Sequence, residues 1–152
     1  RIKRSINVDI NSIRFCNKEM LEKYKEFSLL HNYINEKLSE IHNFNNEQKI
    51  TNDQNIVNRR ALTNIGTFRA YIHAYLRNNS NIHKDMTFLV RQLSPGSDGV
   101  PIEIYVFSND TDWINYEAIQ ADIFDHLLAA IKEFDLKVFQ NPTGNDFQKI
   151  SR

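Results

Sequence analysis

Apolar residues recur along this chain with two periods, and the switches between them divide it into elements. In residues 85–93, DMTFLVRQL, Phe88 and Val90 fall on one side while Thr87, Leu89, Arg91 and Leu93 fall on the other, the alternation of a strand. Ser94, Pro95, Gly96, Ser97, Asp98 and Gly99 follow, all residues that tolerate turn geometry, so a hairpin is expected. The return strand is 101–109, PIEIYVFSN, with Ile102, Ile104 and Val106 on one face and Glu103, Tyr105 and Phe107 on the other. Pro101 suits a strand start, where no ladder N–H is needed. Steps of three and four then take over: Tyr116, Ile119, Ile123, Leu127, Ile131 and Phe134 define a helix with one buried face, and Asp110, Thr111 and Asp112 offer N-caps. Phe124 lies beside that stripe. Residues 137–140 read as a short last strand before Pro142 and Gly144 end the regular structure. This ββαβ unit becomes a split β-α-β-β-α-β sandwich if a strand and a helix precede it.

The earlier residues supply both. Ile2, Ile6, Val8 and Ile10 sit on even positions, whereas Ile13 and Phe15 sit on odd ones, so a first strand changes phase through a bulge or a sheet crossing. Met20, Tyr24, Phe27, Leu30, Ile34, Leu38 and Ile41 then trace one helical stripe, a helix over 17–41 of about six turns capped by Asn17. Residues 42–58, rich in asparagine and glutamine, read as a mostly irregular connection pinned by Phe44, Ile50 and Ile56. A further helix over 63–76 aligns Ile65, Phe68, Ile72 and Leu76, and Asn78, Asn79, Ser80 and Asn81 stop it.

Composition narrows the function classes. The 152 residues suit one domain of the usual ~100–200. With 19 basic and 19 acidic side chains, the chain has no net charge to draw it to nucleic acid or to an anionic membrane surface. Arg1, Lys3 and Arg4 form a small basic cluster, read as a solvated strand end. The single cysteine, Cys16, excludes an internal disulfide and fits a reducing compartment. No signal peptide is visible, and nothing approaches the roughly 20 consecutive apolar residues of a bilayer-spanning helix.

Candidate chemistry is sparse. His31, His42, His73, His83 and His126 are scattered, and none falls in a metal-ligand spacing such as H-E-x-x-H. Asp122 and His126, four apart with Asp125 nearby, could form a metal or acid/base pair, but a solvent-facing pair is the preferred reading. Cys16 has no adjacent group to activate it and reads as a small apolar filler. Gly96 and Gly99 belong to a hairpin, with no lysine placed for a phosphate loop. Tyr71, Tyr75, Phe88, Tyr105 and Phe107 invite an RNA-stacking reading, yet 85–93 lacks the K/R-G-F/Y-G/A-F signature, so core packing or a subunit contact is preferred. No catalytic, cofactor-binding or metal residue is assigned, and the chain is read as a non-enzyme that does not bind nucleic acid.

The run RRALTNIGTFRAYIHAYLRNNSNIH, followed by DMTFLVRQLSPGSDGVPIEIYVFSN and IQADIFDHLLAAIKEFDLKVFQNP, resembles the C-terminal cytoplasmic region of bacterial mechanosensitive channels of the small-conductance (MscS) family. Within it, the chain is most similar to the miniconductance branch, which carries an insertion in this region. RIKRSINVDINSIRF resembles the exit from that family's middle β-domain into its α/β domain. The resemblance implies an α+β fold, a ferredoxin-like α/β sandwich with an inserted helix-plus-loop segment after the first strand. Within a single domain over 1–152, residues 1–16 would hold the end of the middle β-domain and the first strand, 17–60 the insertion, 61–142 the helix and ββαβ core, and 143–152 a tail. It also implies the vestibule of a homoheptamer with side portals, on the cytoplasmic side of the bacterial inner membrane. That channel opens under membrane tension and serves adaptation to hypo-osmotic stress.

Because the pore helix and nearly all of the middle β-domain are missing and the chain opens on Arg1, a soluble fragment that cannot itself conduct ions is expected. Lys18, Glu22, Lys25, Glu26, Glu36 and Lys37 suit a solvated face better than a dry interface, so this piece alone is expected to be a monomer or weak oligomer. The alternative is a free-standing regulatory domain that binds a small ligand on a ferredoxin-like sheet.

Overall fold

The computed structural model describes residues 1–49 and 60–150. Its fold is α+β: strand β1 (Ile2–Val8), helices α1 (Lys18–Lys25), α2 (His31–Glu47) and α3 (Asn64–Arg77), strands β2 (Leu89–Gln92) and β3 (Val100–Val106), then helix α4 (Trp113–Ala130) and, outside the core, helix α5 (Gly144–Ile150). The sheet has the order β1-β3-β2, and both pairings are antiparallel. Its register sets Ile2 opposite Val106, Ile6 opposite Ile102 and Val90 opposite Ile104. Alternation therefore gathers Ile2, Ile6, Val8, Val100, Ile102, Ile104 and Val106 on one buried face, with Phe68, Ile72, Ile123 and Leu127 of α3 and α4 in the same core.

The helices of this core follow the apolar stripes. Thr63 caps α3 by accepting from the Gly66 N–H at 3.1 Å, and Ile65, Phe68, Ile72 and Leu76 are all buried. Asp112 caps α4 in the same way through the Asn115 N–H at 3.1 Å, and α4 buries Ile123, Phe124 and Leu127. A 3-10 turn over Ile131–Phe134 continues it, burying both end residues, and stops at Asp135 with φ 58°. Tight turns need glycine only at Gly99, whose φ is +92° and where a Cβ would stand 2.5 Å from the Val8 carbonyl oxygen.

Four expectations are corrected. The single helix over 17–41 is two helices: Asn17 caps α1 as expected, accepting from the Met20 N–H at 2.9 Å, but the chain turns at 26–30. Successive i to i+3 bonds, Phe27 N–H to the Tyr24 carbonyl (3.1 Å) and Leu30 N–H to the Phe27 carbonyl (2.8 Å), tighten that turn. The stripe survives the break because Met20 and Tyr24 from α1 and Leu30 and Ile34 from α2 are all buried.

Second, α2 continues to Glu47, through the start of the stretch read as irregular. Phe44 is exposed there, with the Arg60 guanidinium 5.7 Å from its ring centre; Ile50 and Ile56 lie outside the described residues.

Third, the phase change after Ile10 is neither bulge nor crossing. It is a 3-10 turn over Ile10–Ser12 in which Asp9 accepts from the Asn11 N–H at 3.0 Å.

Fourth, the last strand over 137–140 is only a bridge, Val8 to Val138, with the Asp9 N–H donating to the Lys137 carbonyl and the Phe139 N–H to the Asn7 carbonyl, each at 2.8 Å. Pairing on this edge of β1 is confined to Asn7, Val8 and Asp9, and Pro142, which carries no N–H to donate, follows soon after Phe139. The strands β2 and β3 are also shorter than 85–93 and 101–109. The tail contains α5, seven residues with none buried. Among the described residues no helix is long and apolar enough to cross a membrane.

Phe124 is 2 % exposed and Leu127 0 %, although Phe124 stands off the main stripe. Leu127→Ala should cost about 2–5 kcal/mol and Phe124→Ala about 3–5 kcal/mol in urea unfolding, whereas Ile114→Ala, at a site 75 % exposed, should stay within about 0.5 kcal/mol.

Candidate functional site

The residues that could carry chemistry do not converge. Among the described residues no group of three or more His, Cys, Asp or Glu side chains is placed to hold a metal ion. His126 turns to the neighbouring helix instead of to Asp122. Its ring stacks on Tyr75 at 4.3 Å and 4°, and its Nε2 lies 2.6 Å from the Tyr71 hydroxyl. Burial pushes both phenols above their ordinary range, helped at Tyr71 by Tyr75 and at Tyr75 by Asp122. The result is an aromatic seam between α3 and α4. Cys16 is buried, and desolvation pushes its thiol from 9.0 up to about 11, against smaller opposing effects of a hydrogen bond with Thr67 and of Arg14. Such a thiol is protonated at neutral pH and is a poor nucleophile.

The aromatics considered for base stacking are spread over separate surfaces. Tyr71 and Tyr75 lie in the helix seam. Phe88 meets His73 edge-on at 5.1 Å and the Arg77 guanidinium at 4.3 Å, while Tyr105 and Phe107 pack edge-to-face at 5.8 Å. Strand alternation divides the basic cluster too. Arg1 and Lys3 lie 5.9 and 5.5 Å from the Tyr105 ring centre, whereas Arg4 turns to the helix side and stands 4.2 Å over Phe124. On the Tyr105 side, Glu103 is only 7 % exposed, its Oε1 accepting from Arg91 Nη2 at 2.8 Å and Nε at 3.0 Å.

What the chain does bring together is a polar junction. Asn64 is completely buried; its Oδ1 accepts from the Arg14 N–H at 3.0 Å, and its Nδ2 donates to the Ser12 carbonyl at 2.9 Å and the Asp135 carbonyl at 3.4 Å. Asp135 in turn accepts from the Tyr24 hydroxyl at 2.7 Å and faces Arg14 Nη2 at 3.9 Å. Burial, then the hydrogen bond and charge of Asp135, hold the Tyr24 phenol far above its usual range. Its ring stacks on Phe134 at 5.3 Å, and Phe27 meets Phe134 edge-on at 5.4 Å. The junction thus ties the exit of β1, the first turn of α3, the corner after α4 and the α1–α2 pair. Sequence reading missed it. One signal was available: Asn64 falls four residues before Phe68 on the apolar face of α3, where an amide needs a full set of partners.

These side chains join elements that are distant in sequence into one packed junction. The family model for the mechanosensitive ion channel MscS, C-terminal, matches residues 2–138, covering the sheet and α1 through α4. The chain belongs to that family, the C-terminal domains of mechanosensitive ion channels.

Two outcomes follow from these groups. Tyr24→Phe keeps the ring packing but strips the Asp135 carboxylate of its donor, so a loss of about 1–3 kcal/mol is expected in urea unfolding. The second concerns pH. The folded thiol titrates near 11 against 9.0 ordinarily, so the contribution of Cys16 to stability is whole below pH 9 and is lost as pH rises from 9 to 11. The raised tyrosines act with the same sign at higher pH. The drop in urea midpoint between pH 8 and pH 10 should therefore be smaller in Cys16→Ala than in wild type.

Proposed function

We propose that this chain forms the cytoplasmic vestibule of a homo-oligomeric mechanosensitive channel, one that opens under membrane tension and releases small solutes during hypo-osmotic stress. The observation that carries the reading is the family match over 2–138. The exposed apolar residues support it. Trp113 is 73 % exposed, beside Ile114, and with Met86, Phe107 and Tyr116 it borders a cavity of about 410 Å³ next to Arg1. Exposed apolar surface of this kind favours coverage by another part of an assembly.

The finer reading is a bacterial inner-membrane homoheptamer of the miniconductance branch, with 17–60 as its insertion. The chain geometry around that segment favours it. Phe15 bridges to Thr63, the Cys16 N–H donates to the Leu62 carbonyl at 2.8 Å, and the Asn64 N–H donates to the Arg14 carbonyl at 3.0 Å. Extra residues whose two ends are already side by side add little closure cost to the core.

A membrane protein carrying this domain should show suction-activated conductance in excised patches and should protect cells against osmotic downshock; a protein that conducts without responding to tension overturns the reading. The chain by itself should scatter light as a monomer or weak oligomer at micromolar concentration. A heptamer mass would mean that this domain suffices to set the symmetry.

A further inference from the structure

We infer that the groove between α2, α3 and β2 binds an organic anion, an apolar body carrying a phosphate or a carboxylate. The groove encloses about 440 Å³, within the range of small-molecule sites, and is bordered by Leu30, Tyr33, Lys37, Arg69, His73 and Val90. Tyr33 and Lys37 are one turn apart on α2, and Arg69 and His73 one turn apart on α3, so two helices present paired polar side chains to the same slot. Leu30 is fully buried beneath them.

Charge selects the ligand. The whole chain balances 19 basic against 19 acidic side chains, yet none of the residues lining this groove is acidic. Lys37 is answered by Glu40 at 3.3 Å, but Arg69 has no hydrogen bond or ion pair among the described residues. A planar guanidinium with free donors takes a phosphate or carboxylate in a paired geometry, and a cationic ligand would meet repulsion from Arg69 and Lys37. His73, its imidazole held below its ordinary range by burial and by Arg77, adds a polar ring beside Arg69. Arg77 follows one turn later and extends the positive side of α3. A bound anion would fasten α2 to α3 and β2. Nothing in this site depends on the channel reading.

The test is an amide-shift titration of the 152-residue chain with phenyl phosphate, with inorganic phosphate and benzyl alcohol as the separate halves of the ligand. Phenyl phosphate should move the Gly66, Ala70 and Ala74 amides and bind about tenfold or more tightly than either half. Arg69→Gln should weaken it by about tenfold or more at unchanged melting temperature, as the loss of one charge-assisted contact requires. Lys37→Gln should weaken it as well, and Lys132→Gln, outside the groove, should not. Flotation with phosphatidylcholine vesicles, with and without phosphatidic acid, separates the two sources of such an anion: Arg69-dependent capture only by the acidic vesicles assigns the site to a lipid headgroup. Failure of both probes to bind, equal binding of benzyl alcohol, or wild-type binding by Arg69→Gln would overturn the inference.

Discussion

One buried amide holds the parts of this molecule in a single arrangement. Asn64 lies out of reach of water, where an unanswered donor or acceptor costs about 1–3 kcal/mol, and its partners come from Ser12, Arg14 and Asp135. Those residues belong to the exit of β1 and the corner after α4, which are distant in sequence. Each must be in place for the amide to be satisfied, so the side chain acts as a check on register as well as a contact. Asp135 passes the constraint on through Tyr24 to α1.

Around that junction the packing is aromatic. Phe134 is the shared member: Tyr24, Phe27, Phe68 and Tyr71 all stand within 5.4 Å of it, ring centre to ring centre. Two of these come from α1 and the turn after it, and two from α3. The α1–α2 pair is therefore seated on the core by the residue that ends the 3-10 continuation of α4, and the left-handed Asp135 that follows fixes where that residue points.

The parts of the fold that could be read from the sequence were those in which one element's own periodicity decides burial. In α3 the positions Ile65, Phe68, Ile72 and Leu76 are all inside, and α4 behaves likewise through Ile123 and Leu127. The break between α1 and α2 was invisible because a turn of five residues returns the chain with its apolar stripe still in phase, from Tyr24 to Leu30 to Ile34. Strand ends were misjudged for a different reason: alternation in 85–93 and 101–109 continues past the point where a partner strand stops. Asp122 and His126 are both exposed, as the preferred reading had them, but spacing along one helix says nothing about the next, and Tyr75 on α3 takes the imidazole face. Asn64 and Asp135 are long-range partners, 71 residues apart, and no local pattern joins them.

The sheet ends at β2, a strand of only four residues. The Leu93 N–H donates inward to the Pro101 carbonyl, so Leu89 and Arg91, four and two residues earlier, also turn their backbone groups toward β3, while those of Val90 and Gln92 point off the edge. An open edge is a template on which unrelated chains can add strands, and long, flat, apolar edges drive aggregation. Here the exposed Arg91 and Gln92 occupy half of the strand, and Arg91 is drawn across to Glu103 on the central one. A foreign strand would find two free backbone positions and a charged pair beside them, too short a run to hold it. The brevity of β2 thus protects this edge of the sheet from promiscuous growth.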